Sequence, residues 1–172
     1  MSRAKRMKQG DTNFLKYVAP AIKPKFPGQW ISTNGMKLDY ESGLDFINVH
    51  LAKTTTFSSR VWESFPMQHF TIRHYRTSAP DRPLEVSSRL EALKQDKWMT
   101  DWTVEGFIYK KTVYVAAIPT RTLWTVVDKN LDRLQDFCCH NEDDMVVFRR
   151  VPFNLLGPEL FKITMKFSKI YC

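Results

Sequence analysis

The sequence predicts an α+β fold in which a mixed β-sheet is flanked by helices and preceded by a basic N-terminal arm. Three observations lead to this fold class. Several short segments alternate between apolar and polar residues, as strands with one buried face do. Two other segments carry apolar residues at helical spacing. The 172 residues, 43% of them hydrophobic, are enough to bury one core, and they contain no internal repeat.

The arm is predicted to cover residues 1–29, and a single domain residues 30–172. Three prolines disfavour a long helix in the arm, although residues 14–18 can form a short helix that docks on the domain. Residues 1–30 carry seven Lys/Arg against Asp11 alone, a balance of +6, whereas the other 142 residues carry 19 basic and 17 acidic side chains. Such an arm suits contact with a polyanion, or it serves only solubility.

Two strands are predicted in the first half of the domain. The first runs from Leu44 to Leu51, and its buried face is expected to carry Ile47, Val49 and Leu51. Residues 53–60 are polar and are predicted to connect it to the second strand. That second strand covers residues 68–75, with Phe70 and Ile72 on the face opposite to Thr71 and its polar neighbours.

A helix and a hairpin are predicted next. The capping-box pattern Ser88-x-x-Glu91 indicates the start of the helix, which is expected to reach Lys97. Residues 103–109 and 112–118 are β-rich and are joined at Lys110-Lys111, which indicates a hairpin.

The last third of the chain is predicted to form one helix and two strands. The helix is expected to begin at Thr120 or Thr122 and to carry an apolar stripe as far as Cys138. Residues 145–151 are predicted to form one strand and residues 161–168 another. In the latter, Lys162 and Lys166 share the polar face, where they contact phosphates or protect an exposed sheet edge from aggregation.

Composition also excludes several classes. The three cysteines form no disulfide framework, and Cys138-Cys139-His140 lacks the second pair that zinc requires, so these residues are expected to end the helix. No apolar run is long enough to span a membrane, and the basic N-terminus is not followed by an apolar stretch. We therefore expect a cytoplasmic protein without membrane contact.

The clearest functional pattern lies in the first two predicted strands. An acidic segment leads into the first strand, and the second strand is basic. The first segment holds Asp39, Glu41 and Asp45; the second contains Thr71-Ile72-Arg73. In this order the chain resembles the PD-(D/E)XK nuclease superfamily, whose members place an Asp near the start of one strand and Glu-x-Lys on the next. The likeness covers roughly residues 36–136 and rests on short motifs.

The resemblance implies a Mg²⁺-dependent nuclease that cleaves phosphodiester bonds. Asp45 stands at the position of the family Asp, so it is implied as a catalytic residue and metal ligand, with Glu41 and Asp39 as further ligands. Arg73 stands at the lysine position and is implied to contact the scissile phosphate. Thr71 supplies no carboxylate where the family has Glu, so the metal would have to recruit other acids, Glu63 among them. The acidic segment is equally explained as a solvated turn.

The basic residues point to nucleic acid more broadly. The candidate contacts are Arg3, Lys5, Arg6, Lys8, Arg76, Lys110, Lys111, Lys162 and Lys166. Aromatic residues near basic ones, such as Trp98 and Tyr109, are candidates for base stacking or for the core. Two alternatives to a nuclease therefore stay open: a non-catalytic DNA- or RNA-binding accessory factor in replication, transcription or viral takeover of a host, and an interaction protein whose basic arm docks on an acidic protein partner.

Overall fold

A computed structural model describes residues 9–33, 44–76, 85–141 and 144–167. Within these ranges the chain contains helices, a six-stranded sheet and a three-stranded sheet, which confirms the predicted α+β class. The larger sheet is mixed, as predicted, because β3 and β5 run parallel while its other neighbouring strands run antiparallel.

The chain divides into two compact units that are interleaved in sequence. The first unit is made of the segments Met1–Met67, Thr100–Thr120 and Leu160–Cys172; the second is made of Gln68–Met99 and Arg121–Glu159. The described residues 9–29 of the predicted arm fall in the same unit as the segment that follows them.

The first unit contains the six-stranded sheet, ordered β1-β2-β3-β5-β6-β9. Its strands are β1 (Gln29–Ser32), β2 (Phe46–His50), β3 (Lys53–Trp62), β5 (Trp102–Tyr109), β6 (Thr112–Pro119) and β9 (Phe161–Lys166). The hairpin of β5 and β6 was predicted correctly, and so was β9. Within the described ranges β9 pairs only with β6, so it forms one edge of the sheet there.

A helical segment over residues 9–22, α1, packs on one face of this sheet. Phe14 and Val18 are fully buried there, together with residues of β2, β3, β5 and β6. Gly106 in β5 allows this close approach, because a Cβ at that position would lie 2.6 Å from Val18 Cγ2. Phe14, Val18 and Ile22 of the predicted arm thus belong to the core of this unit, and the helix expected over residues 14–18 is present.

α1 continues past Pro20 because its middle is wider than an α-helix. Phe14–Val18 is π-helical, and the Ala19 N–H donates to Phe14 O, five residues back. Proline has no N–H and its ring clashes with the carbonyl four residues earlier, so a wider turn before it removes that conflict. The helix ends in the α-helical residues Ala19–Ile22.

The second unit contains the antiparallel sheet β4-β8-β7 and two helices. Its strands are β4 (His69–Arg76), β7 (Asp136–Asn141) and β8 (Asp144–Pro152); its helices are α2 (Glu85–Lys94) and α3 (Thr120–Asn130). Phe70, Ile72, Val147 and Val151 are buried in this unit. The strands predicted over residues 68–75 and 145–151 are both present.

Two predictions for the first unit were wrong. Residues 53–60 form most of β3, an internal strand, because Thr and Ser side chains tolerate a pleated, half-buried surface that polarity alone does not reveal. In β2 the register sets Phe46 opposite Phe57 and buries Phe46 and Asn48, whereas Leu51 is 83% exposed in the turn.

Two helix predictions for the second unit were also wrong in their bounds. Ser88 lies inside α2, where its hydroxyl donates to Glu85 O at 3.3 Å, so it does not cap the helix start. α3 ends at Asn130, and the backbone of Cys138-Cys139-His140 belongs to β7. The apolar spacing continues by chance into a 3₁₀ turn and a strand.

Candidate nucleic-acid interface

Three lysines of the first unit surround one open depression. Lys110 and Lys111 form the turn between β5 and β6, and Lys166 is the last residue of β9; Thr112 and Phe167 complete the lining. We call Lys110, Lys111 and Lys166 the lysine cluster. The sequence predicted each of these residues as a nucleic-acid contact, and the structure brings them together.

Strand pairing accounts for this convergence. Thr112 lies opposite Lys166 in the β6–β9 register, and the Phe167 N–H donates to Lys111 O at 3.0 Å. The end of β9 is therefore held directly against the turn. Lys162 points from the same face of β9, four residues or about 13 Å along the strand.

The turn places its lysines in an unfavourable backbone conformation. Lys110 and Lys111 have φ of 45° and 61°, the left-handed region that a two-residue hairpin turn requires and that Asn-Gly usually fills. Lysine, unlike Asn or Gly, has no intrinsic preference for this backbone conformation. Two adjacent lysines in such a turn are a reason to look for a function at this position.

The cluster has no partner of opposite charge among the described residues. None of the described Asp and Glu carboxylates lies within ion-pair distance of Lys110, Lys111 or Lys166. An ammonium group in this setting keeps its attraction for an external anion. Repulsion within the cluster favours the same binding, since a bound anion relieves it.

Aromatic rings adjoin the cluster on two sides. Lys110 Nζ lies 5.1 Å from the centroid of Tyr109, whose ring meets that of Phe65 edge to face at 5.4 Å. On the other side, Phe167 packs on Tyr17 of α1 at 4.8 Å. The sequence did not single out Phe65 or Phe167. For Phe65, the available signal in the sequence was a bulky aromatic residue directly after the polar pair Glu63-Ser64.

Asp45 lies at the start of β2, as predicted, but its carboxylate serves the sheet. Oδ2 accepts the backbone N–H of Ser59 on β3, the strand next to β2. In this stretch β3 carries Ser58, Ser59 and Arg60, with no carboxylate. Glu63 accepts hydrogen bonds from Asn13 and Gln9 of α1 at 2.7 and 3.4 Å.

Thr71 and Arg73 belong to the other sheet. They lie on β4, which pairs with β8, so the structure does not set them on a strand beside Asp45. Thr71 is buried, and the Arg73 N–H donates to Glu85 Oε2 at 2.9 Å. Arg76 ends the same strand. Burial, and secondarily the positive charge of Arg150, lower the pKa of the nearby His69 below its ordinary value of 6.5.

The acids considered as Mg²⁺ ligands lie partly within the described residues. Asp45 and Glu63 are described, and the described part of the chain contains no group of three His, Cys, Asp or Glu residues placed to hold a metal. Mg²⁺ is commonly held by one or two carboxylates together with water and phosphate oxygens, so Asp45, which already accepts a backbone N–H, leaves Mg²⁺ binding a prediction. Asp39 and Glu41 lie outside the described residues, as do Arg3, Lys5, Arg6 and Lys8.

Comparisons with protein-family models, with curated proteins and with solved structures found no match to this chain. Among the described residues, none of the helices is both long and apolar enough to cross a membrane.

Proposed function

We propose that this protein binds nucleic acid through the lysine cluster and acts as a non-catalytic accessory factor. The observation that carries this proposal is the convergence of Lys110, Lys111 and Lys166 on one open depression without a described carboxylate beside them. Lysine is a compact, hydrated point charge that suits phosphate oxygens. A polyanion that crosses the depression also releases its counterions, which favours binding entropically.

The geometry favours binding over cleavage. Of the residues implied by the nuclease resemblance, Asp45 directly precedes β2 of the six-stranded sheet and Arg73 lies on β4 of the three-stranded sheet, and Asp45 already accepts the Ser59 N–H. Nuclease activity with Mg²⁺ therefore stays a prediction. Incubation of labelled DNA and RNA with the protein in Mg²⁺, Mn²⁺ or EDTA, alongside an Asp45→Ala variant, tests for cleavage.

Fluorescence anisotropy with labelled 20-nucleotide DNA and RNA, single- and double-stranded, measures the binding over a range of salt concentrations. The test variant is Lys110→Gln/Lys111→Gln/Lys166→Gln. We expect an affinity loss of about tenfold or more, and a salt dependence whose slope falls by about 2 to 3, because each phosphate contact contributes slightly less than 1.

The matched control is Lys94→Gln/Lys97→Gln/Lys129→Gln, which removes the same net charge from exposed positions of the second unit. We expect its affinity to stay within about twofold of the original chain. Equal losses in both variants would mean that overall charge alone drives binding, and the cluster proposal would be wrong. Absence of binding by the original chain would leave the acidic protein partner as the better explanation of the basic surface.

A further inference from the structure

We infer that the preferred ligand is an unpaired strand of DNA or RNA, with Phe65 as the platform on which one base stacks. This inference rests on the proposed function, since it needs the lysine cluster to hold the phosphates. It concerns a different contact, however, and it has a separate test.

Phe65 has the exposure that a stacking platform requires. Its side chain is 68% exposed; among the Phe, Tyr and Trp residues whose side chains the structure describes, the only other exposed one is Trp98, at 53%. The exposed part of the ring is in contact with water, whereas a base laid against it buries apolar surface on both partners. Phe65 is also part of the first unit, which contains the lysine cluster.

Tyr109 connects the platform to the cations. Its ring contacts Phe65 edge to face at 5.4 Å with an interplanar angle of 77°, and the Lys110 ammonium lies 5.1 Å from its centroid. The edge contact orients the Phe65 ring while leaving most of that ring to solvent. A stacking surface beside a phosphate-binding cation is the pairing that single-strand binding proteins use.

The pairing selects unpaired over paired strands for a physical reason. In a duplex every base is already stacked and hydrogen-bonded, so contact with Phe65 would first require a base to be extruded at a cost of a few kcal/mol. An unpaired strand offers the face of each base without that cost. Every base has such a face, so the inference predicts little sequence preference.

The test compares three probes of equal length: a single strand, the corresponding duplex, and a single strand of abasic sites, which keeps the phosphates and lacks the bases. For Phe65→Ala we expect a loss of about 5- to 150-fold on the single strand, with duplex and abasic affinities within about twofold. Phe65→Trp is expected to restore single-strand affinity, because a larger ring stacks at least as well.

Two controls remove other exposed apolar side chains. Leu51→Ala removes an apolar side chain that is 83% exposed in the turn of another hairpin of the same sheet. Trp98→Ala removes an exposed aromatic side chain of the second unit. We expect neither to change single-strand affinity. If Trp98→Ala costs affinity and Phe65→Ala does not, the inference is overturned.

The outcomes also separate this inference from the proposed function. Loss of binding in the lysine triple variant, with no change in Phe65→Ala on any probe, would leave the phosphate contact standing and refute the stacking platform. Retained binding in the lysine triple variant would refute both. Because Phe65 is exposed, a thermal melt monitored by circular dichroism is expected to confirm that Phe65→Ala folds like the original chain.

Discussion

The described basic side chains of the two units illustrate two kinds of contact. In the second unit, carboxylates hold them: Arg149 Nε lies 2.8 Å from Asp136 Oδ1, and Arg121 Nη1 lies 2.9 Å from Asp96 Oδ1. In the first unit, Lys25 Nζ lies within 5 Å of the ring centroids of Trp102 and Phe161, at 4.8 and 4.9 Å, and Lys110 lies over Tyr109.

The difference matters because a carboxylate cancels the charge of its partner and an aromatic ring does not. The Arg149 guanidinium contacts Asp136 and also donates to Leu131 O at 2.6 Å, so both of its contacts stabilise the second unit. A lysine over a ring keeps its full charge toward solvent. A count of Lys and Arg residues in the sequence would weight all of them equally. It would not reveal that positive charge without a described carboxylate partner is concentrated at the lysine cluster.

The largest stability effect is expected from the second unit. Asp136→Asn removes the negative charge beside Arg149, which is only 16% exposed, and we expect it to cost about 1.5–3 kcal/mol in the free energy of unfolding measured with urea. The matched variant is Asp96→Asn, whose side chain is 91% exposed and whose loss is expected to cost no more than about 0.5 kcal/mol. If the two variants lost equal free energy of unfolding, the half-buried and the exposed ion pair would not differ in their contribution to stability.

A smaller effect, of opposite sign, is expected from the turns of the first unit. Lys111 and Ala52 occupy corresponding positions in two hairpin turns, with φ of 61° and 60°. Replacing either by Gly should raise the free energy of unfolding by about 0.5–1 kcal/mol, because Gly adopts this conformation without strain.

The same pair of variants separates stability from binding. Only Lys111→Gly should weaken binding, with a salt slope lower by about 1, while Ala52→Gly keeps the affinity of the original chain. If Lys111→Gly left both affinity and salt dependence unchanged, Lys111 would not contact the phosphates.

The smallest effect concerns pH and the second unit. Burial lowers the pKa of His69 in the folded state, so below pH 6.5 the unfolded state takes up more protons than the folded state. The stability that His69 contributes is present above that pH and is lost as pH falls through 6.5 toward the lower folded value. Urea titrations at pH 7.5, 6.5 and 5.5 should show a shallower decline for His69→Gln; an identical decline would contradict the assignment.

The hairpin of β5 and β6 and the edge strand β9 were predictable because their apolar residues dominate or alternate cleanly. β3 was missed because residues 53–60 contain Phe57 as their one large apolar residue, and only pairing with β2 and β5 makes a strand of them. Local pattern therefore sufficed where burial is regular, and it failed where neighbouring strands determine the structure.

The candidate site was predictable residue by residue but not as a site. Lys110, Lys111 and Lys166 each stood out as basic residues at a turn or on a polar strand face. Their convergence depends on the register that sets Thr112 opposite Lys166, which no local pattern encodes. The sheet to which the strands beside Asp45 and Arg73 belong is likewise decided by non-local pairing, which the sequence pattern does not reveal.

The late position of β9 in the chain has a consequence for synthesis on the ribosome. Both segments of the second unit emerge before Lys166 does, and β6 waits for its edge partner until then. Lys110 and Lys111 are thus synthesised well before Lys166 joins them. The depression that the three lysines line is therefore absent while the segment Arg121–Glu159 of the second unit is being translated.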